Sequence, residues 1–175
     1  MSEYNPDELE IKLGDWINAL IIVSDMSSDI PQDQIFFGHQ AKTVTASNYV
    51  NISLLTMDLK QSNIERVGEE ISPGGAYEVS NTAQFDFTAR IEFIGPICYK
   101  AARRVSAKWR SQQASLEIGD SPVVINSVDP ILDTSVSMSS SWEKRAAFDV
   151  NGSYLECWTD ATIGTDVIER VIATG

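Results

Sequence analysis

Histidine is almost missing from this 175-residue chain, which has one, His39. A serine triad, a cysteine–histidine pair or a zinc site would each have to be built on it. No nucleophile, orienting carboxylate or metal-ligand spacing accompanies it. Cysteine is nearly as scarce. Cys98 and Cys157 are too few for a disulfide scaffold, and both lie in apolar sequence surroundings that suit buried thiols. No apolar run approaches the roughly 20 residues of a membrane span. The N-terminus has no basic region followed by an apolar block, so neither a membrane anchor nor a secretory signal is expected, and cytoplasmic synthesis is. Pro73-Gly74-Gly75 has no Gly-Lys-Ser/Thr after it, so it is turn chemistry and no phosphate loop. No catalytic, cofactor-binding or metal-binding residue is assigned, and the chain is not read as an enzyme.

Positive charge is in short supply too. Thirteen Lys and Arg face 25 Asp and Glu, a net charge of −12. Five of those cations, Lys100, Arg103, Arg104, Lys108 and Arg110, fall in one predicted helix that has no acid before Glu117. Eight cations remain elsewhere against 24 of the 25 acids. An acidic body resists general nucleic-acid binding, which relies on neutralising phosphates over a broad surface. One basic helix on such a body suits self-association, with the helix of one copy meeting an acidic face of the next. A solvated amphipathic face is the plain alternative, since exposed ion pairs contribute only ~0–1 kcal/mol each.

What the chain does have is one long, error-free alternation. Ala83, Phe85, Phe87, Ala89, Ile91 and Phe93 share one parity, and Gln84, Asp86, Thr88, Arg90 and Glu92 the other. That predicts a strand over 83–94 with one buried and one wet face. Asp86, Arg90 and Glu92 on its polar side read as cross-strand pairs. Gly95-Pro96 ends the strand. Ile97, Ala101, Val105, Trp109 and Leu116 then keep helical spacing, predicting one helix capped at Gly119.

Upstream, Asn5-Pro6-Asp7-Glu8 is a helix start, and Leu9, Leu13, Trp16, Ile17 and Leu20 form an amphipathic stripe. Gly14 marks close packing. The apolar run from Ala19 to Val23 predicts a buried helix end near Ser24 to Ser28. Residues 35–38 and 49–57 read as strands. From Lys60 to Ser80 the pattern breaks down into a long exposed loop or hairpin extension. Pro122 to Ile125 reads as a short strand, and Val128 to Ser141 as irregular or weakly paired. Alternation resumes over 142–150, with Trp142, Ala146, Phe148 and Val150 on one side. Asn151-Gly152 is either a tight turn or a bulge in one long strand. Val167 to Ile172 is a last strand or helical turn. Without βαβ alternation this is α+β: one domain over 1–175, an antiparallel sheet with an N-terminal and a central helix packed on one face.

Three segments together resemble the bacteriophage neck or tail terminator (head–tail joining, tail-completion) proteins. They are the N-terminal helix with Asp15-Trp16, the strand-to-helix unit from Phe85 to Pro96, and Glu143-Lys144-Arg145-Ala146-Ala147-Phe148-Asp149-Val150. The resemblance covers roughly residues 9–158. It implies a virion protein whose subunits form a ring, commonly a hexamer. Such a ring caps the tail tube, joins it to the head connector or stopper protein, and passes double-stranded DNA through its lumen without specific contacts. No membrane is involved. On this reading the five helix cations are the subunit interface, and Arg66, Glu69 and Glu70 in the 60–80 stretch contact tube or connector. Two rival readings are a monomeric β-rich tail-associated binding or adhesion module using exposed aromatics, and a hydrolase built on His39.

Overall fold

The computed structural model describes residues 6–38, 44–61, 66–72, 76–119, 122–138 and 141–164; for 6–7, 61, 66–72, 76–81, 113, 117–119 and 157–164 it describes the backbone alone. His39, Pro73-Gly74-Gly75 and the segment Val167 to Ile172 therefore lie outside the described residues.

The N-terminal stripe folds as read. Helix α1 spans Pro6–Val23, and Leu9, Leu13, Trp16, Ile17 and Leu20 are all buried on its inner face. Gly14 leaves room for Phe37, whose ring would lie 3.1 Å from a Cβ there. The helix ends in a Schellman motif: Met26 N–H donates to Ile21 O, and Asp25 N–H to Ile22 O. Asp25 takes the left-handed position at φ 56°, which aspartate tolerates better than most residues. The expectation of an all-round buried helix end needs correction. Ile21 and Met26 are buried, but Ile22 points outward and is exposed, because the motif buries only one side of the last turn.

A 3₁₀ turn at Gln32–Gln34 leads into β1 (Ile35–Phe37). Gln34 is buried and fully engaged. Its carboxamide oxygen accepts from the N–H groups of Thr45 and Ala46, and its nitrogen donates to Thr45 Oγ1 at 2.9 Å. The following strands are β2 (Tyr49–Gln61), β3 (Arg66–Ser72) and β4 (Ala76–Ile94), the last 19 residues long. After the helices come β5 (Val123–Val128), β6 (Leu132–Asp133), β7 (Val136–Met138), β8 (Ser141–Glu143) and β9 (Arg145–Gly164). The sheet runs β1-β2-β4-β9-β5, with β6 also on β9 and β3 on β4. Among described pairings with a fixed register, only β1–β2 is parallel; β3–β4, β5–β9, β6–β9 and β7–β8 are antiparallel.

On β4 the alternation holds from Phe87 to Phe93, while Phe85 is only half-buried. Phe87, Ala89, Ile91 and Phe93 are buried. The opposite face forms a polar ladder with β9: Ser153 Oγ donates to Asp86 at 2.8 Å, Thr88 Oγ1 to Asn151 at 2.9 Å, and Arg90 pairs with Asp149. Each step of two residues up one strand is two down the other, as antiparallel register requires. Thus the polar residues are cross-strand pairs. Glu92 closes the row, accepting from Thr134 Oγ1 and from Arg145, which also engages Glu143.

Two sequence expectations fail in instructive ways. The single helix from Ile97 to Gly119 is two, α2 (Cys98–Ser106) and α3 (Gln112–Gly119). Lys108 N–H and Ser111 N–H fall back to i−3 acceptors, tightening the chain out of the helix, and Ser111 then opens a new one. Its Oγ accepts from Ala114 N–H at 3.4 Å, the geometry of an N-cap. Leu116 consequently leaves the inner stripe and is 71% exposed. Trp142, expected on the inner side with Phe148, belongs to the separate β7–β8 hairpin and is 69% exposed, since Lys144 interrupts the strand between them. Of the two readings of Asn151-Gly152, the one long strand is found: β9 runs through it, and the extra residue of the bulge falls on β5 opposite, between Ile125 and Ser127. The stretch 128–141 carries β6 and β7 as short paired segments.

Two compact units are distinguishable. One comprises residues 5–58 and 86–154 and holds all three helices, the polar ladder and the apolar core. Its core is the buried β4 and β9 side chains, including Phe93 and Phe148 with rings 5.9 Å apart, covered on one face by the helices. The other comprises 1–4, 59–85 and 155–175, and contains the β3–β4 hairpin, where Val67 pairs with Val79 and Glu70 with Tyr77.

Candidate functional site

The glycine that ends β4 sets up the site. Gly95 has φ +119°, and a Cβ there would sit 2.2 Å from Ser47 O, so no other residue fits without moving the neighbouring backbone. Gly95 N–H donates to Lys144 O at 3.0 Å, and Asn48 Oδ1 accepts from Ile97 N–H. These bonds fix where α2 starts. Cys98, Ala101, Ala102 and Val105 then face inward and are buried. Among the remaining positions, Lys100, Arg103 and Arg104 are exposed, and Lys108 follows in the turn.

Across from them stands the C-terminal end of α1. Ser24 Oγ donates to Arg104 O at 3.2 Å, and the Arg104 guanidinium reaches Met26 Sδ at 3.7 Å, tying the two helices together. Between them lies an open groove of about 620 Å³ lined by Val23, Ser24, Asp25, Lys100, Arg103, Arg104, Ala107 and Lys108. Four cations and one carboxylate line it. Among the described residues, none of the four cations has a carboxylate within ion-pair distance. The macrodipole helps them: Arg103 and Arg104 occupy the last turn of α2, where cations are favoured by about 0.3–1 kcal/mol.

Of the five cations singled out from the sequence, four share this groove. Arg110 does not. It stacks over the Trp109 ring, 4.4 Å from its centroid, which is a local cation–π contact. The side chains of Arg66, Glu69 and Glu70 lie outside the described residues; their backbone is part of β3. Sequence reasoning missed the groove's other wall. Ser24 and Asp25 were legible only as a helix end, with nothing to say they face residues 100–108.

A second depression, about 430 Å³, lies beside the Gly95 turn and is lined by Tyr49, Ile94, Gly95, Pro96, Met138, Trp142, Glu143 and Lys144 among others. Tyr49 OH donates to Glu143 at 3.4 Å; burial, then the Glu143 charge, pushes its phenol pKa above the ordinary value. On α2, the exposed Tyr99 donates to Asp133, which holds that carboxyl below the usual range. Burial pushes the Cys98 thiol up, as suits an inert core cysteine. The Cys157 side chain lies outside the described residues. Among the described residues no group of three or more His, Cys, Asp or Glu could hold a metal ion, and no helix is long and apolar enough to cross a membrane. The groove and the depression present charged and apolar side chains at the surface.

No curated protein matches the chain significantly in sequence. One family model does match, described as phage neck terminator protein, over residues 7–175. Because that match takes in nearly the whole chain, from the first turn of α1 onward, the protein belongs to the phage neck terminator family and is a structural component of the virion neck.

Proposed function

We propose that this protein assembles into a closed homo-oligomeric ring, a hexamer, that ends the tail tube and joins it to the head connector, with DNA passing through the lumen. The observation that carries the reading is the groove between α1 and α2. It gathers four cations without described carboxylate partners on a chain whose net charge is −12. Rings need heterologous contacts, in which one patch meets a different, complementary patch, and a basic groove on an acidic body supplies both halves. A lumen lined by the acidic remainder attracts no phosphates, so DNA slides through it. The β3 segment, with Arg66, Glu69 and Glu70, is the contact to tube or connector. No catalytic activity is part of the proposal.

Negative-stain images of the purified chain, alone and with tail tubes, test this. Closed rings, free or seated on tube ends, are expected. Single particles in both samples would contradict it. A second reading, a monomeric binding module, draws on the exposed Trp142 beside its 430 Å³ depression. It predicts single particles that lose ligand binding in a Trp142→Ala variant and rings in neither sample.

A further inference from the structure

The groove's occupant can be named from the opposite end of the same helix. Along α1, Glu8, Ile11, Asp15 and Ile22 form the exposed stripe, at spacings of three, four and seven. Its N-terminal half carries two acids flanking an isoleucine that is 57% exposed. Glu8 is held in place by Tyr154 OH, which donates to Oε2 at 3.2 Å, and its charge stays at the surface. At 1.5 Å per residue, Glu8 and Asp15 lie about 10 Å apart along the axis. On the groove side, Lys100 and Arg104 are about 6 Å apart along α2 by the same rise, and Lys108 follows in the turn beyond the helix. The groove's apolar wall consists of Val23 and Ala107.

Resting on the ring reading above, we infer that the first turns of α1 from a second copy, presenting Glu8, Ile11 and Asp15, fill this groove. The two carboxylates meet the cations of α2, and Ile11 packs on Val23 and Ala107. Acids of one copy then meet cations of the next, and the exposed isoleucine covers the groove's apolar residues. Charge alone would also admit a nucleic-acid backbone, but a phosphate chain has nothing to place on the apolar wall. The contact is heterologous, since α1 offers its N-terminal half and receives with its C-terminal end. Repeated around an axis it closes a ring, and each copy uses both patches once.

A charge swap tests the assignment. One variant carries Lys100→Glu, Arg104→Glu and Lys108→Glu; the other carries Glu8→Lys and Asp15→Lys. In each alone, like charge meets like charge, and native mass spectrometry should show monomers at concentrations where the wild type forms rings. Mixed one to one, each variant's altered patch meets its complement, and rings of alternating copies should return. The recovered assembly also proves that both variants fold. If the α1 variant assembles as the wild type does, or the mixture stays monomeric, the occupant is another acidic face; the ring reading survives on the wild-type rings. Wild-type monomers in solution and on tubes would overturn the ring reading itself. A groove that binds a 30-base-pair duplex in a salt-sensitive way, lost in the triple variant, would overturn the assignment in favour of DNA.

Discussion

Arg90 and Asp149 meet fork to fork across β4 and β9, with Nε to Oδ1 at 2.7 Å and a terminal guanidinium nitrogen to Oδ2 at 2.8 Å. The pair sits in the middle of the polar ladder, with Thr88–Asn151 on one side and Glu92–Arg145 on the other. It locks the register of the two longest strands, because a slip of one residue would turn each polar side chain into the core. Bidentate geometry raises its worth above that of an ordinary exposed pair. A double-mutant cycle with Arg90→Ala and Asp149→Ala should give a coupling energy of about 1 kcal/mol by urea denaturation. Arg90→Lys should recover less than half of it, since an ammonium cannot bridge both oxygens.

Gly152 lies under the ring of Phe87. A Cβ at 152 would come within 2.5 Å of both Phe87 Cζ and Val124 O. One contact is backbone and cannot swing away, so the strand pairing itself must shift. Gly152→Ala should cost about 1–3 kcal/mol, the usual range for forcing extra atoms into a packed site. A thermal melt checks this, and Gly152→Ala/Phe87→Leu should regain part of the loss by relieving the ring contact alone.

Tyr49 gives the fold an alkaline limit. Burial first, and the Glu143 carboxylate second, raise its phenol pKa above the ordinary value of 10.0. The neutral phenol is the favoured form in the folded chain. Its contribution is therefore fully present below the unfolded value of about 10, and it is lost as pH rises through the higher folded value. The wild type should lose stability between pH 10 and 12 more steeply than Tyr49→Phe, which has no proton to lose there. Urea midpoints measured at pH 8, 10 and 11.5 for both proteins would show it. Equal slopes would mean that Tyr49 ionises as freely as in the unfolded chain.

Much of this architecture could be read from the residues because it rests on period. The stripe Leu9, Leu13, Trp16, Ile17 and Leu20, and the alternation from Ala83 to Phe93, each point one way along an unbroken element. Where period misled, a local polar bond had cut the element. Trp109 and Leu116 keep helical spacing with Val105 across the break, and only Ser111, whose side chain caps α3, marks the new start. Trp142 shares parity with Phe148, but Lys144 separates a hairpin from a core strand. The cations of the groove were visible as a cluster. Their setting was not, since Ser24, which donates to Arg104 O, is 80 residues away, and Asp25 joins the groove only through the tertiary fold.

Light scattering on Arg103→Glu/Arg104→Glu/Lys108→Glu, beside the wild type at equal concentration, goes most directly to the groove's role in holding the ring together. Circular dichroism should first show both chains equally folded. The wild type should then scatter as a multiple of 19.3 kDa and the variant as a single chain. A variant that assembles as fully as the wild type would contradict the account.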